Sequence, residues 1–320
     1  MKKLAFALCC TLALALPLAA RADYPDRPIK LIVPFPAGSG TDTVARELAE
    51  EMAKDLRQPI VVDNKPGAQG IIGVKAAVDA PPDGYTLVML GVTTGASNVT
   101  LFKKLPYDPL RDLTPIGMIA ESPIVLVAAP QFEPNNTKEL YELGRKEPGK
   151  LTYAYGSGSA QVAAAKLVDM GGIETIGVAY KGSPQALTDV MSRQVDFMFV
   201  DLSLAVPQIQ GGKLKALGVT TASRFPIVPD IPAINESGAP GYQLVVWFAM
   251  GGPAGMPKPV VERLSTSLKH ALASKKLQGK YASHGLQVKL STPDEFGEFL
   301  KSEIANWGAM IRKAGITPQG

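Results

Sequence analysis

Two hydrophobic periods alternate along this chain, one typical of strands and one typical of helices. Apolar runs at 31–35 and 151–155 have the length of buried strands, and apolar residues then recur at helical spacing over 43–56 and from about residue 160. Further strand-like runs are 60–62, 85–90, 116–119, 124–128, 176–180, 195–200, 215–219 and 247–250, and helical spacing returns at 71–79, 184–193, 259–273 and 293–314. This alternation predicts an α/β fold in which helices flank mainly parallel sheets.

The order of these elements predicts two lobes with a ligand cleft between them. About 300 residues are enough for two domains of moderate size. We expect the chain to cross between the lobes near 121–125 and to return near 243–250. The first lobe then comprises residues 23–122 and 246–320, and the second lobe, residues 123–245, is an insertion within the first.

The first 22 residues have the pattern of a secretory signal peptide. A basic start, Lys2 and Lys3, precedes an uncharged apolar stretch over 4–18, and Ala20-Arg21-Ala22 supplies a cleavage site. The apolar stretch is short for a membrane span. We therefore expect export to the periplasm, with cleavage after Ala22.

Composition excludes several classes of site once that peptide is removed. Both cysteines, Cys9 and Cys10, lie within it, so disulfides, thiol catalysis and cysteine-ligated metals are excluded from the mature chain. Without Lys2, Lys3 and Arg21, 30 of the 33 basic residues remain against 29 acidic ones, a formal net charge of +1. No basic run favours a nucleic acid or an anionic membrane as partner.

The strand runs at 31–35 and 151–155 each open into a loop of small residues that leads into a helix. The first loop, residues 36–42, reads Pro-Ala-Gly-Ser-Gly-Thr-Asp, and the second loop, residues 156–159, reads Gly-Ser-Gly-Ser. N–H groups at the start of a helix lack intrahelical acceptors and lie at the positive end of the helix dipole. Two such loops in two halves of one chain predict a clamp for a small carboxylate.

Each loop also has a purely structural interpretation. Thr41 or Asp42 would cap the first helix, and the Asp42 carboxylate could pair with Arg46 one turn further on. In the second loop, Ser159 would be the cap. Either loop would then be a connection without a ligand.

A serine nucleophile on such a turn is a further alternative. The G-x-S-x-G spacing is not met in the second loop, and the only histidines, His270 and His284, are distant in sequence. Two scattered histidines without grouped acidic ligands argue against a metal site, and no phosphate-binding glycine motif supports a nucleotide. We expect a binding protein without a cofactor and not an enzyme.

Other predicted site residues follow or end strands. Thr93 and Thr94 lie at the carboxyl edge of a sheet, where open α/β sheets bind ligands. Asp201 could accept a hydrogen bond from a ligand hydroxyl, amine or water. Tyr180 could equally line a pocket or belong to the core, and Trp247 could belong to the core or lie at the hinge. The predicted ligand-binding residues are Phe35, Ala37, Gly38, Ser39, Thr41, Asp42, Thr93, Thr94, Gly156, Ser157, Gly158, Ser159, Gln161, Tyr180 and Asp201.

Several segments together resemble one family. They are Phe35-Pro-Ala-Gly-Ser-Gly-Thr-Asp-Thr-Val-Ala-Arg46, Asn64-Lys-Pro-Gly-Ala68, Asp83-Gly-Tyr-Thr-Leu87, Leu105-Pro-Tyr-Asp-Pro109, Tyr180-Lys-Gly-Ser-Pro184, Gln194-Val-Asp196 and Pro253-Ala-Gly255. In this order and spacing the chain resembles, from about residue 24 to near its C-terminus, the Bug family of TctC-like extracytoplasmic receptors of tripartite tricarboxylate transporters.

The resemblance implies a type II-like periplasmic binding protein, here expected as a monomer. Such a receptor closes on a small mono- or dicarboxylate through loop backbone, hydroxyls and ordered water, and delivers it to a tripartite membrane permease. The alternative is a ligand-loaded sensor that docks on a two-component histidine kinase. Ser39, Gln161 and Ala179 depart from the Gly, His and Pro usual in the family, and these departures bear on ligand identity.

Overall fold

The computed structural model of this chain describes residues 24–320. Its strands are β1 (Ile29–Val33), β2 (Ile60–Asn64), β3 (Thr86–Gly91), β4 (Leu113–Ser122), β5 (Ile124–Ala128), β6 (Leu151–Tyr155), β7 (Thr175–Ala179), β8 (Phe197–Asp201), β9 (Lys215–Val219), β10 (Val246–Pro253) and β11 (Gln287–Val288). Its α-helices are α1 (Gly40–Leu56), α2 (Ile71–Val78), α3 (Asn98–Leu101), α4 (Thr137–Lys146), α5 (Gly158–Gly171), α6 (Ser183–Met191), α7 (Leu202–Gln210), α8 (Lys258–Ala273), α9 (Lys275–Ser283) and α10 (Pro293–Lys313). The predicted signal peptide, its cleavage site and both cysteines lie outside the described residues.

The strands form two sheets, and each sheet organises one lobe. The sheet of the first lobe has the order β2-β1-β3-β10-β4-β11, and the sheet of the second lobe has the order β7-β6-β8-β5-β9. Only Pro123 separates β4 from β5, so the chain crosses between the sheets there, and it re-enters the first sheet at Val246. The cleft lies beside these two crossings.

Both sheets are mixed, which corrects the expectation of mainly parallel sheets. β1 is parallel to β2 and β3, and β6 is parallel to β7 and β8. β10 is antiparallel to β3 and β4, and β5 is antiparallel to β8 and β9. β5 and β10 are each the first strand in sequence after the chain crosses between the lobes. Each therefore enters its sheet from the opposite end and is antiparallel to its neighbours.

The crossing strands lie at the centre of the fold. Every residue of β5 and of β10 is buried, as expected for strands covered on both faces. Helix α1 packs its predicted apolar face inward through Val44, Leu48 and Met52. This packing holds the helix against its sheet and so positions the first loop at the end of β1. Within residues 24–320, no helix combines the length and apolar character that a membrane crossing needs.

Candidate functional site

A cavity of about 50 Å³ lies between the lobes, where residues that follow β1, β3, β6 and β8 meet. The predicted residues that line it are Phe35, Ser39, Thr41, Thr93, Ser157, Ser159 and Asp201. The structure therefore brings both predicted loops, Thr93 and Asp201 to one place.

The first loop presents backbone N–H groups to this cavity. Ser39 is the N-cap of α1, and its Oγ accepts a hydrogen bond from the Asp42 N–H at 3.3 Å. The structural interpretation had predicted Thr41 or Asp42 as the cap of α1, and this prediction was wrong. Gly40 and Thr41 occupy the first two helical positions, whose N–H groups have no intrahelical acceptor, and both line the cavity.

The Asp42 carboxylate is turned away from the cavity. It accepts hydrogen bonds from the Gly38 N–H, Arg46 Nε and Asn64 Nδ2, each at 2.9 Å. Burial opposes ionisation, but these donors together hold the pKa of Asp42 below its usual value. The negative charge of Asp42 is thus balanced by Arg46 behind the first loop, away from the residues that line the cavity.

The second loop is used differently. Ser157, and not Ser159, is the N-cap of α5, because its Oγ accepts from the Ala160 N–H at 3.3 Å. The Ser159 N–H donates to Thr93 Oγ1 at 3.2 Å, and the Thr93 hydroxyl lies 3.4 Å from Ser159 Oγ. Gln69 Nε2 also donates across the cleft, to Gln161 Oε1 at 3.2 Å. These bonds join the two lobes across the cleft.

A third helix N-terminus borders the cavity, at Ser183 of α6. It lies close to the second loop because Gly156 has no side chain: a Cβ there would be 2.2 Å from the Gly182 carbonyl carbon. Ser183 was not among the predicted site residues, although it lies within the family-like segment 180–184. The N-termini of α1, α5 and α6 thus converge on one small volume.

Asp201 approaches the first loop from the second lobe. It is the N-cap residue of α7, yet its side chain makes no capping hydrogen bond. A Cβ on Gly40 would lie 2.5 Å from Asp201 Oδ2, so the carboxyl group lies directly against the start of α1. Burial in the cleft raises the pKa of Asp201 to about 6.

Aromatic side chains close the apolar part of the cavity. Phe35 and Phe199 line it from the two lobes, together with Trp247. The Trp247 Nε1–H donates to Glu303 Oε2 at 2.8 Å, and the indole packs edge-on against Phe299 with ring centroids 5.5 Å apart. Trp247 is therefore fixed in the cavity wall, next to the point where the chain re-enters the first sheet.

The remaining predicted residues do not line the cavity. The Tyr180 hydroxyl donates to Asp189 Oδ2 at 2.7 Å within the second lobe, and Thr94 Oγ1 accepts from the Gly91 N–H at 3.3 Å. The others form the backbone or flanks of the two loops: Ala37, Gly38, Asp42, Gly156, Gly158 and Gln161. Lining residues that sequence reasoning did not select are Gly40, Gly91, Val92, Ile124, Ala160, Ser183, Phe199, Val200, Val246, Trp247 and Phe248.

The donors at this site are backbone amides and hydroxyls. Among the residues that line the cavity there is no Lys, Arg or His, and Asp201 is the one ionisable side chain. Each helix N-terminus carries roughly half a positive charge, so the convergent helices can stabilise one buried carboxylate without an arginine. Residues 24–320 contain no group of three His, Cys, Asp or Glu side chains placed to hold a metal ion.

A family model described as the tripartite tricarboxylate transporter family receptor (TctC) matches residues 44–316 of this chain. Among solved structures, the periplasmic binding protein BugD is similar, with 36% sequence identity and a TM-score of 0.89 over 92% of this chain and 100% of that one. These similarities confirm both the family resemblance and the two-lobed α/β fold predicted from the sequence.

Two further structures of similar proteins contain ligands. MatC from Rhodopseudomonas palustris with bound malate is 32% identical, with a TM-score of 0.86 over 90% of this chain and 100% of that one. A second Rhodopseudomonas palustris protein, with adipate, is 31% identical, with a TM-score of 0.90 over 93% of this chain and 100% of that one. Both ligands are small organic dicarboxylates.

Proposed function

The chain belongs to the TctC family of tripartite tricarboxylate transporter receptors, and we propose that it closes on a small organic carboxylate and delivers it to a tripartite membrane permease. It is a periplasmic solute-binding receptor of that family and not an enzyme. Capture of a particular ligand class, release to the permease and action as a monomer are the proposed parts.

The convergence of three helix N-termini on a cavity without basic side chains supports carboxylate binding most directly. The Gly40 and Thr41 amides would receive one carboxylate at the start of α1. Hydroxyls of Thr93, Ser157 and Ser159 would complete the polar side of the site. The malate and adipate bound by the two similar proteins belong to this chemical class.

Closure would couple binding to delivery. We propose lobes of residues 23–122 with 246–320 and of residues 123–245, which pivot where β4 meets β5 and where the chain enters β10. A ligand that contacts both lobes binds the closed form better and shifts the population towards it. The permease would then bind the surface that the closed form presents.

Calorimetric titration of ligand-free protein, residues 23–320, with a panel of short mono- and dicarboxylates tests the binding step. We expect one class of acid to bind and, at 100 times its dissociation constant, to stabilise the fold by about 2.7 kcal/mol. Absence of binding across the panel would contradict the proposal.

Delivery needs a separate test in cells. Deletion of the receptor should abolish uptake of the acid that it binds, and the intact gene should restore uptake. Unchanged uptake, together with loss of a transcriptional response to the acid, would support the sensor alternative instead.

A further inference from the structure

The placement of Asp201 bears on which acids this cavity accepts. An Asp at an N-cap position ordinarily accepts a hydrogen bond from an N–H of its own helix. Asp201 makes no such bond at the start of α7, and its carboxyl group instead lies in the cavity against Gly40. The fold thus places an acid beside the same helix N-terminus that would receive the ligand carboxylate.

This arrangement is unfavourable for a ligand that has only negative charges. The N-terminus of α1 can offset one carboxylate, but a second ligand carboxylate would meet Asp201 in a small cavity whose lining includes no Lys, Arg or His. An ionised carboxyl group in such a place requires a partner that carries positive charge and donates hydrogen bonds. A ligand ammonium group, with three N–H donors, meets both requirements.

We propose that Asp201 selects ligands in which a protonated amine adjoins a carboxylate, as in amino acids, over the same acids without the amine. The inference rests on the proposed function, because it assigns the ligand carboxylate to the Gly40 and Thr41 amides. A Cβ on Gly40 would lie 2.5 Å from Asp201 Oδ2, so the two subsites are adjacent. An α-amino carboxylate carries its two charged groups on one carbon atom, as adjacent subsites require.

Matched ligand pairs that differ only in the amine test the proposal: aspartate against succinate, and alanine against propionate. Calorimetric titration of the wild-type protein at pH 7.5 should show at least about tenfold tighter binding of the amine-bearing member, equivalent to about 1.4 kcal/mol. In Asp201→Asn, which keeps the side-chain shape and removes the charge, this preference should disappear.

Asp169→Asn is the matched control for the loss of one negative charge from the second lobe. Asp169 is exposed near the C-terminal end of α5, eleven positions beyond Gly158, which places it roughly 16 Å along the helix from the cavity end. The Asp169→Asn variant should show the same ligand preference as the wild-type protein. Circular dichroism of both variants establishes that they are folded.

A pH series on the wild-type protein gives a second test that needs no substitution. An ammonium ligand requires ionised Asp201, so its affinity should fall as the pH is lowered from 7.5 to 5. Helix α1 packs against α7, and its charged groups include the Asp42–Arg46 pair and Glu47, whose Oε2 lies 3.7 Å from His284 Nδ1. Asp201→Asn, which leaves these groups in place, should show a flatter pH dependence.

Two results separate this proposal from the proposed function. If succinate binds at least as tightly as aspartate, with an affinity that rises on acidification, Asp201 binds as a protonated acid and amine selection is wrong, although the receptor function stands. If neither amino acids nor plain acids bind, the carboxylate-receptor function itself is wrong.

Discussion

The first loop and the second loop follow the same plan of strand, small residues and helix, but their amides have different uses. In the first loop Gly40 and Thr41 line the cavity with N–H groups that have no acceptor within the helix, and the Asp42 carboxylate is bonded to Arg46 and Asn64. In the second loop the Ser159 N–H is already bonded to Thr93 of the other lobe. One loop is available for a ligand anion, whereas the other joins the lobes.

A helix N-terminus alone therefore does not define a binding site. What distinguishes the two loops is the group that the other lobe places opposite them: the Asp201 carboxyl group lies against Gly40, whereas the Thr93 hydroxyl accepts a hydrogen bond from the Ser159 N–H. The first glycine of each helix, Gly40 in α1 and Gly158 in α5, provides a direct experimental comparison.

The largest expected effect is that of Gly40→Val. The added side chain would occupy the space between α1 and Asp201, where even a Cβ would lie 2.5 Å from the carboxyl oxygen. We expect affinity for the acid to fall by about 100-fold or more, which is about 2.7 kcal/mol, as measured by calorimetry.

Gly279→Val is the control for this change, since Gly279 lies in α9, where a Cβ would have no neighbouring atom within 4 Å. It should bind as the wild type does. Normal affinity in a folded Gly40→Val protein would remove the first loop from the site.

Gly158→Val should have a smaller effect on affinity and a larger one on closure. A Cβ at Gly158 would meet Ser97 Oγ at 2.7 Å and Leu101 Cδ1 at 2.8 Å, both from the first lobe. We expect about a tenfold loss of affinity and no decrease in the radius of gyration, measured by small-angle X-ray scattering, when ligand is added. A normal ligand-induced decrease would show that the second loop does not join the lobes.

Thr93→Val should have the smallest effect of the three. It removes the hydroxyl that bonds Ser159 across the cleft and keeps the side-chain shape. Loss of one such bond corresponds to about 1 kcal/mol, or roughly fivefold in affinity. Thr86→Val, on β3 of the same lobe, is the control and should be unchanged. A loss as large as that of Gly40→Val would show that the Thr93 hydroxyl contributes as much to ligand binding as the first loop does.

The sequence predicted the local parts of the site. Small residues between a strand and a helix indicated the first and second loops, and the end of an apolar strand indicated Asp201. The predicted N-cap positions were wrong by two residues or more. Ser, Thr and Asp side chains in one loop can all cap a helix, and only the backbone geometry selects Ser39 and Ser157.

Other features depend on contacts that sequence periodicity does not contain. The direction of β5 and β10 follows from the crossings between the lobes, which local pattern does not report. Helices α4 and α9 were not predicted, because each buries only a few apolar side chains and includes an interior glycine, Gly144 or Gly279. The bond between Thr93 and Ser159 joins residues 66 positions apart.

The position of β10 has a consequence for the order of assembly during synthesis and export. β3 and β4 of the first sheet are not adjacent, because β10 lies between them. That sheet remains divided until the chain has emerged as far as Pro253, after the whole inserted lobe. The strands β5–β9, in contrast, are contiguous in sequence and form a complete sheet by Val219. The second lobe can therefore complete its sheet while the first lobe still lacks β10, the strand that joins β3 to β4.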